Sequence, residues 1–232
     1  MEPIGGILNI NKPAGISSTR VVGRIKRLLP PRTKVGHAGT LDPFATGVLL
    51  VLVGRATKWC EQLMGRPKQY VATIKLGATT ATLDPESPEL PVDGPINRPD
   101  VARVREVLER FIGEIEQLPP QFSALKVGGR PAYQLARRGE RVNLHPRTVR
   151  IDRLELLDYQ WPNLKLRIDC GRGTYIRALA RDVGEILAGG GYLTALCRTR
   201  IGPFDVESAA AVEQLSGQPV EGWPFQDDKS TR

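Results

Sequence analysis

A single carboxylate stands in the segment Gly36-His37-Ala38-Gly39-Thr40-Leu41-Asp42-Pro43-Phe44-Ala45-Thr46-Gly47. Pro43 fixes its own φ and biases Asp42 toward an extended conformation, which aims one side chain. A carboxylate held in this way can serve as a nucleophile or as a base. The phosphatase type of nucleophilic aspartate needs a second Asp two residues on, and Phe44 occupies that place. The plain alternative is a turn residue whose carboxylate accepts backbone N–H bonds. Other chemistries have weaker signals. Cys60, Cys170 and Cys197 are odd in number, widely spaced and form no CxxC pair, so they imply neither a disulfide framework nor a zinc site, and no metal ligands are assigned. Gly171-Arg172-Gly173 opens a helix but lacks the Gly-Lys-Ser/Thr of a phosphate loop, so no nucleotide cofactor is assigned.

The loop needs a rigid support, and the six apolar residues Val48–Val53 between Gly47 and Gly54 predict a strand buried on both faces. Upstream, Ile7–Ile10 reads as a strand, and Asn11–Ser18 as a turn into a helix capped by Ser17 or Ser18. That helix carries Val21, Val22, Ile25, Leu28 and Leu29 on one face, with Arg20, Arg24 and Arg27 elsewhere, and stops at Pro30; it reads as an ordinary amphipathic surface helix. A short helix follows around Thr57–Met64. Alternation in Lys68–Gly77 puts Tyr70, Ala72, Ile74 and Leu76 on one strand face, which makes Tyr70 a core residue on this pattern alone. Residues 84–100 hold five prolines and five acidic groups and read as a solvated loop. Asp100–Ile112 predicts a helix with Val101, Val104, Leu108, Phe111 and Ile112 as its apolar stripe, stopped by Gly113. Thr148–Leu157 and Leu164–Cys170 predict strands, and a helix with Ile176, Leu179, Ala180, Val183, Ile186 and Leu187 inward follows the glycine loop. Ser208–Leu215 predicts one more short helix, followed by a mobile tail.

Composition bounds the partner. The 232 residues include 33 Lys and Arg against 25 Asp and Glu, a formal charge of +8, and 41% hydrophobic residues, which suits a soluble protein with a polyanionic partner. The charge is uneven: residues 121–150 hold 7 basic groups and 1 acidic, and residues 208–232 hold 2 basic and 4 acidic. In the first of these, Lys126, Arg130, Arg137, Arg138 and Arg141 alternate with prolines, glycines, Phe122, Tyr133 and Leu135. Basic groups on a flexible element grip phosphates, and interleaved aromatic and apolar side chains can pack against bases; a solvated charge run is the alternative. No basic-then-apolar leader and no apolar run of roughly 18 residues is present, which predicts a cytoplasmic protein without a membrane contact.

The Gly36–Leu49 segment resembles the catalytic signature of the bacterial tRNA pseudouridine-55 synthase (TruB) family, in which the loop Asp is the essential catalytic residue. The resemblance spans about residues 4–207. It implies an α+β (mixed α/β) pseudouridine synthase fold, a central mixed sheet flanked by helices and loops, and a catalytic domain over residues 1–207. A basic RNA-clasping insertion at about 119–148 grips the tRNA T-loop; guide-dependent relatives lack it. Residues 208–232 are too few for a separate C-terminal RNA-binding domain. Asn11–Gly15 is similar to the family's first motif, which has a structural role beside the catalytic loop. By the same resemblance, the Tyr of Lys68-Gln69-Tyr70 packs against the target uracil and reverses the core reading of Tyr70. Arg177 of Gly173-Thr174-Tyr175-Ile176-Arg177 pairs with Asp42, Leu196 packs in the active site, and His37 is inserted beside the flipped bases, against the alternative of a neutral loop histidine. Lys126, Arg130, Arg137, Arg138 and Arg141 contact the RNA. The chain departs from the family at Thr80-Ala81-Thr82-Leu83-Asp84, where the first of two usual carboxylates is replaced by Ala81. The function implied is isomerisation of uridine 55 of tRNA by a monomer with no cofactor and no obligatory protein partner. A non-catalytic RNA-binding or tRNA-folding protein on the same scaffold is the rival.

Overall fold

Residues Val48–Val53 are at most 1% exposed in the computed structural model of the chain, so the strand Thr46–Val53 (β3) is buried on both faces, as its unbroken apolar run requires. The structure describes residues 5–94, 96, 98–123, 125–140, 142–215 and 224–226. They fall into two compact units, one of residues 1–71 and 196–232 and the other of residues 72–195.

The first unit contains β1 (Gly6–Lys12), α1 (Ser18–Arg27), β2 (Val35–Ala38), β3 (Thr46–Val53), a 3-10 turn (Gly54–Trp59), α2 (Cys60–Gly65) and the start of β4 (Lys68–Leu76). The second contains the rest of β4, β5 (Ala78–Thr80), β6 (Glu89–Pro91), α3 (Val101–Glu109), β7 (Gly113–Gln117), β8 (Lys126–Val127), β9 (Arg130–Pro131), α4 (Ala132–Ala136), β10 (Arg147–Gln160), β11 (Asn163–Cys170), α5 (Ile176–Ala188) and the start of β12 (Gly191–Ile201). The chain then completes the first unit with the end of β12, β13 (Phe204–Asp205), α6 (Val212–Leu215) and β14 (Phe225–Gln226). The main strand order is β14-β1-β3-β12-β4-β11-β10-β7, a mixed sheet in which β12 runs parallel to β3 while β1, β2 and β14 pair antiparallel.

Each face of β3 has its own core. Leu49, Val51 and Val53 pack with Leu8 and Ile10 under Val21, Ile25 and Leu29 of the α1 region and Val212 and Leu215 of α6. Val48, Leu50 and Leu52 pack with Ile7, Ala38, Ala56, Leu63, Ile201 and Phe204. Between them these clusters leave no solvated side to β3, so its register against β1 and β2 cannot slip without moving apolar groups into water.

Several expectations shift in detail. The helix expected over Asp100–Ile112 ends at Glu109, and Val101 and Ile112 are exposed. Gly113, expected only as its stop, also starts β7, which pairs with β10. Ser17 is the N-cap of α1 and accepts the Arg20 N–H at 3.2 Å, which leaves Ser18 for another task. Ile186, expected in the stripe of α5, is exposed. Of the segment read as a mobile tail, Phe225–Gln226 forms β14 beside Ile7 and Leu8; residues 216–223 and 227–232 lie outside the described residues.

Candidate functional site

The loop carrying Asp42 is held by three side chains that replace the hydrogen bonds a loop lacks. Lys12, with no exposed surface, donates to Pro13 O and Ile16 O at 2.8 Å and to Pro43 O at 3.1 Å. Ser18, 1% exposed, uses its hydroxyl twice, accepting the Leu41 N–H at 2.9 Å and donating to Leu41 O at 3.0 Å. Arg198, 2% exposed, donates from Nε to Val48 O at 2.8 Å and from its two terminal nitrogens to Gly39 O at 3.0 Å and Thr40 O at 3.4 Å. Residues on both sides of Asp42 are therefore tied to β1, α1 and β12. Inside the loop the Ala45 N–H closes a turn on Asp42 O at 3.1 Å. Gly47 has φ +98, and a Cβ there would lie 2.2 Å from Arg198 O, so only glycine lets the loop enter β3. Asp42 itself is half-buried.

His37 lies on β2 opposite Val51, half-buried, and its Nδ1 has no hydrogen-bond partner. Its pKa is lowered from 6.5, first by burial and then by the positive charge of Arg198. The imidazole is therefore neutral at pH 7. Tyr70 (8% exposed) and Leu196 (7%) are buried residues of β4 and β12 in the same unit. Beside Tyr70, Lys68 is buried and donates to Met64 O and Arg66 O. Asp42, His37, Tyr70 and Leu196 thus all belong to the first unit.

The second unit holds Arg177 and the basic element. Arg177 is 5% exposed in the first turn of α5, with Nη1 at 3.2 Å from Asp84 Oδ2 and 2.9 Å from Thr82 O, and Nη2 donating to Phe122 O at 2.9 Å. Asp84 is 2% exposed and is itself fixed, its Oδ1 accepting from Thr82 Oγ1 at 2.5 Å and from the Glu86 N–H at 3.0 Å. Thr80 Oγ1 receives the Asp84 N–H at 2.9 Å and donates to Asp84 O at 2.8 Å. Asp84, three residues after Ala81, is thus held by Thr80, Thr82 and the Glu86 N–H. The sequence carries no assignment for Asp84 or Arg198, and Ser18, a candidate helix cap in the sequence, instead holds Leu41. A legible signal for Arg198 existed: it alternates with Leu196 on the buried face of β12.

The basic element is a small folded module. Lys126–Val127 and Arg130–Pro131 pair as a hairpin, α4 follows, and Ala132, Val142 and Leu144 form a core of their own with Leu125, Val127 and Leu135 against it. The Gln121 amide closes the module by donating to Val142 O and accepting the Val142 N–H, both at 3.0 Å. Lys126, Arg130, Arg137 and Arg138 are exposed around it, and the Arg137 guanidinium lies over the Tyr133 ring at 5.8 Å from its centroid. Arg141 lies outside the described residues. Among the described residues no group of three His, Cys, Asp or Glu side chains is placed to hold a metal, and no helix is long and apolar enough to cross a membrane.

Residues 26–176 match the model of the TruB family pseudouridylate synthase N-terminal domain. The chain belongs to the TruB family. It is 47% identical over 226 residues to the tRNA pseudouridine synthase B of Bacteroides fragilis, covering 94% of this chain and 97% of that protein. It is 49% identical over 219 residues to the protein of the same name from Mycobacterium tuberculosis, covering 93% of this chain and 73% of the relative. Among solved structures, a Cbf5-Nop10-Gar1 complex matches with a TM-score of 0.69 and 30% identity over 90% of this chain and 52% of that chain. An H/ACA RNP bound to a substrate RNA containing 2'-deoxyuridine matches with a TM-score of 0.65 and 28% identity, over 90% of this chain and 51% of that one. The chain thus spans about half the length of these structural neighbours, and its mixed α/β architecture is the pseudouridine synthase fold. The TruB match contains the Asp42 loop, Tyr70 and the basic module, and it ends one residue before Arg177.

Proposed function

We propose that this TruB-family chain isomerises uridine 55 in the T-loop of tRNA to pseudouridine, with Asp42 as the catalytic carboxylate. The observation that carries the reading is the clamped Asp42 loop, in a chain that shares 47% of 226 aligned residues with a protein named tRNA pseudouridine synthase B. The reaction breaks the bond from C1′ to N1, rotates the uracil and rejoins it through C5, so no atom leaves and no electron acceptor is needed. Asp42 acts on the ribose, either as nucleophile at C1′ or as base at C2′. Tyr70 packs against the detached uracil, and Leu196 completes the apolar surroundings. Arg177 keeps the Asp42 carboxylate ionised and oriented, because an opposite charge within hydrogen-bond reach lowers a carboxylate pKa. Its burial with Asp84, Thr82 O and Phe122 O supports such a role by leaving the guanidinium one orientation. Flipping the nucleotide out of the loop costs a few kcal/mol of unstacking. The neutral, partly desolvated His37 suits insertion into the gap, since an uncharged ring stacks without the cost of burying a cation. Lys126, Arg130, Arg137, Arg138 and Arg141 grip the backbone phosphates.

The chain acts alone in this reading, as a cytoplasmic monomer. The experiment is incubation of the purified protein, without added partners, with an unmodified tRNA transcript, followed by mapping of pseudouridine by position. Pseudouridine at position 55 is expected. Binding without isomerisation would convert the reading to that of an RNA-folding protein, and modification at another position would overturn the site assignment.

A further inference from the structure

We propose that helix α1 carries a second RNA-binding surface, a stripe of arginines that takes phosphodiesters of the substrate RNA; the inference rests on the reading of RNA as the substrate class. Arg20, Arg24 and Arg27 stand at i, i+4 and i+7, which places them along one side of the helix over about 10 Å at 1.5 Å per residue. Val21 and Ile25 occupy the buried side. Arg20 and Arg27 are exposed, and among the described residues neither has an acidic partner. Arg24 has Glu213 at 3.4 Å, but the two side chains are 36% and 70% exposed, a pair that contributes little.

An ordinary solvated helix face mixes charges, and this one does not. The helix Ser18–Arg27 contains no acidic residue, and its first turn, where the macrodipole favours an anion, holds Arg20 instead. Arg24 and Arg27 lie in the last turn, where the macrodipole favours cations, whereas Arg20 stands against it, and arginines three and four apart repel. The charge continues past the helix. Arg32 is exposed with φ +67, a conformation that costs a side-chain-bearing residue and that glycine or asparagine usually fills. Lys34 follows, its carbonyl accepting the Gly54 N–H at 2.8 Å, which brings the backbone of Arg55 alongside. A row of guanidiniums in which Arg20 and Arg27 have no carboxylate partner among the described residues suits a chain of phosphates, each able to accept two parallel hydrogen bonds. This surface is built on the first unit, whereas the basic module belongs to the second, so the two are separable by mutation.

The test is the triple variant Arg20→Gln/Arg24→Gln/Arg27→Gln beside Arg20→Lys/Arg24→Lys/Arg27→Lys. Binding of an unmodified tRNA transcript is measured between about 50 and 200 mM salt, together with pseudouridine formation at saturating tRNA. Each phosphate contact contributes roughly 0.7–0.9 to the log–log salt slope, so the Gln variant should lose about 2 units of slope and at least about tenfold in affinity at the lower salt. The Lys variant should keep most of the slope, and the saturating rate should stay within about twofold of wild type in both. The double variant Arg20→Gln/Arg27→Gln, which leaves the Arg24–Glu213 pair intact, should lose about 1.5 units and serves if the triple variant fails to fold. An unchanged slope in a folded Gln variant overturns the proposal, as does loss of binding to anionic vesicles or an acidic peptide while tRNA binding is retained. A wild-type protein that binds tRNA with this slope but forms no pseudouridine would sink the proposed function and leave the stripe standing. Turnover with an unchanged slope would do the reverse.

Discussion

Replacing Arg198 with Met tests whether one buried cation both holds the Asp42 loop and sets the charge of His37. The substitution keeps much of the volume and removes donors to Val48 O, Gly39 O and Thr40 O. A buried carbonyl left without a donor costs ~1–3 kcal/mol. The Thr40 bond is long at 3.4 Å, so two strong bonds are at stake, and release of the guanidinium from its desolvated position offsets part of the loss. A net destabilisation of about 2–4 kcal/mol is expected, which for a chain of this size lowers Tm by roughly 5–15 °C. The second consequence is electrostatic. Burial is the larger cause of the lowered His37 pKa and the Arg198 charge the smaller, so in Arg198→Met the pKa should rise but remain below 6.5. Because folded His37 binds its proton less tightly than the unfolded chain, its contribution to stability is present above pH ~6.5 and is lost as pH falls through the folded value. That acid-side loss should shrink in the variant. The assay is NMR titration of the imidazole resonances, assigned with His145→Gln because the chain has two histidines, beside thermal melts from pH 5 to 8. A variant that melts as wild type does and leaves the His37 titration unmoved would refute both the clamp and the coupling.

Three further outcomes are expected. Asp42→Asn should abolish pseudouridine formation while tRNA affinity stays within a few-fold, as measured by single-turnover assay and filter binding, since in the proposed role the carboxylate acts on the ribose and contributes little to binding. Asp84→Ala should destabilise the fold by ~1.5–3 kcal/mol in denaturant melts, because it removes a buried carboxylate 3.2 Å from the Arg177 guanidinium; Asp84→Ala/Arg177→Met should cost less than the sum of its parts in a double-mutant cycle. Arg130→Gln/Arg137→Gln/Arg138→Gln should flatten the salt dependence of tRNA binding by roughly 2 units without lowering Tm, because those side chains are exposed around a module whose core they do not enter.

What was legible in the sequence follows from how local each signal is. The β3 run, the alternation that buries Tyr70, Ala72, Ile74 and Leu76, and the stripe of α5 are short-range patterns, and the structure bears them out apart from the exposed Ile186. β7 leaves little trace in the sequence because Gly-Glu-Ile-Glu-Gln carries one apolar side chain; its strand character comes from pairing with the distant β10, Arg147 opposite Gln117 through Ile151 opposite Gly113. The basic segment read as flexible because it is rich in glycine and proline, yet Leu125, Val127, Leu135, Val142 and Leu144 converge into a core too small to leave a periodic signature. The Arg177–Asp84 pair joins residues 93 positions apart and has no local signal at all; Asp84 gained its partner through the turn that Thr80 and Thr82 close around it.

The clamp around Asp42 follows from a conflict between what a reactive loop needs and what a sheet supplies. Asp42 stands outside the ladder, where its side chain is only half-buried, because the loop leaves β2 at Ala38 and rejoins the sheet at Thr46. Its carbonyls then lack ladder donors while lying close to the core, where each unpaired one is costly. Lys12, Ser18 and Arg198 answer this with side-chain donors from β1, α1 and β12, and each reaches backbone rather than Asp42's own turn closure at Ala45. Long cationic side chains suit the task because a single ammonium or guanidinium serves three carbonyls at once and tolerates burial only while it does so. Carbonyls and cations thus support one another, and Gly47, lacking a Cβ, permits the close approach of Arg198's backbone where β12 pairs with β3. A fixed loop of this sort places one carboxylate without spending substrate binding energy on ordering it, which is the condition for that energy to appear in turnover.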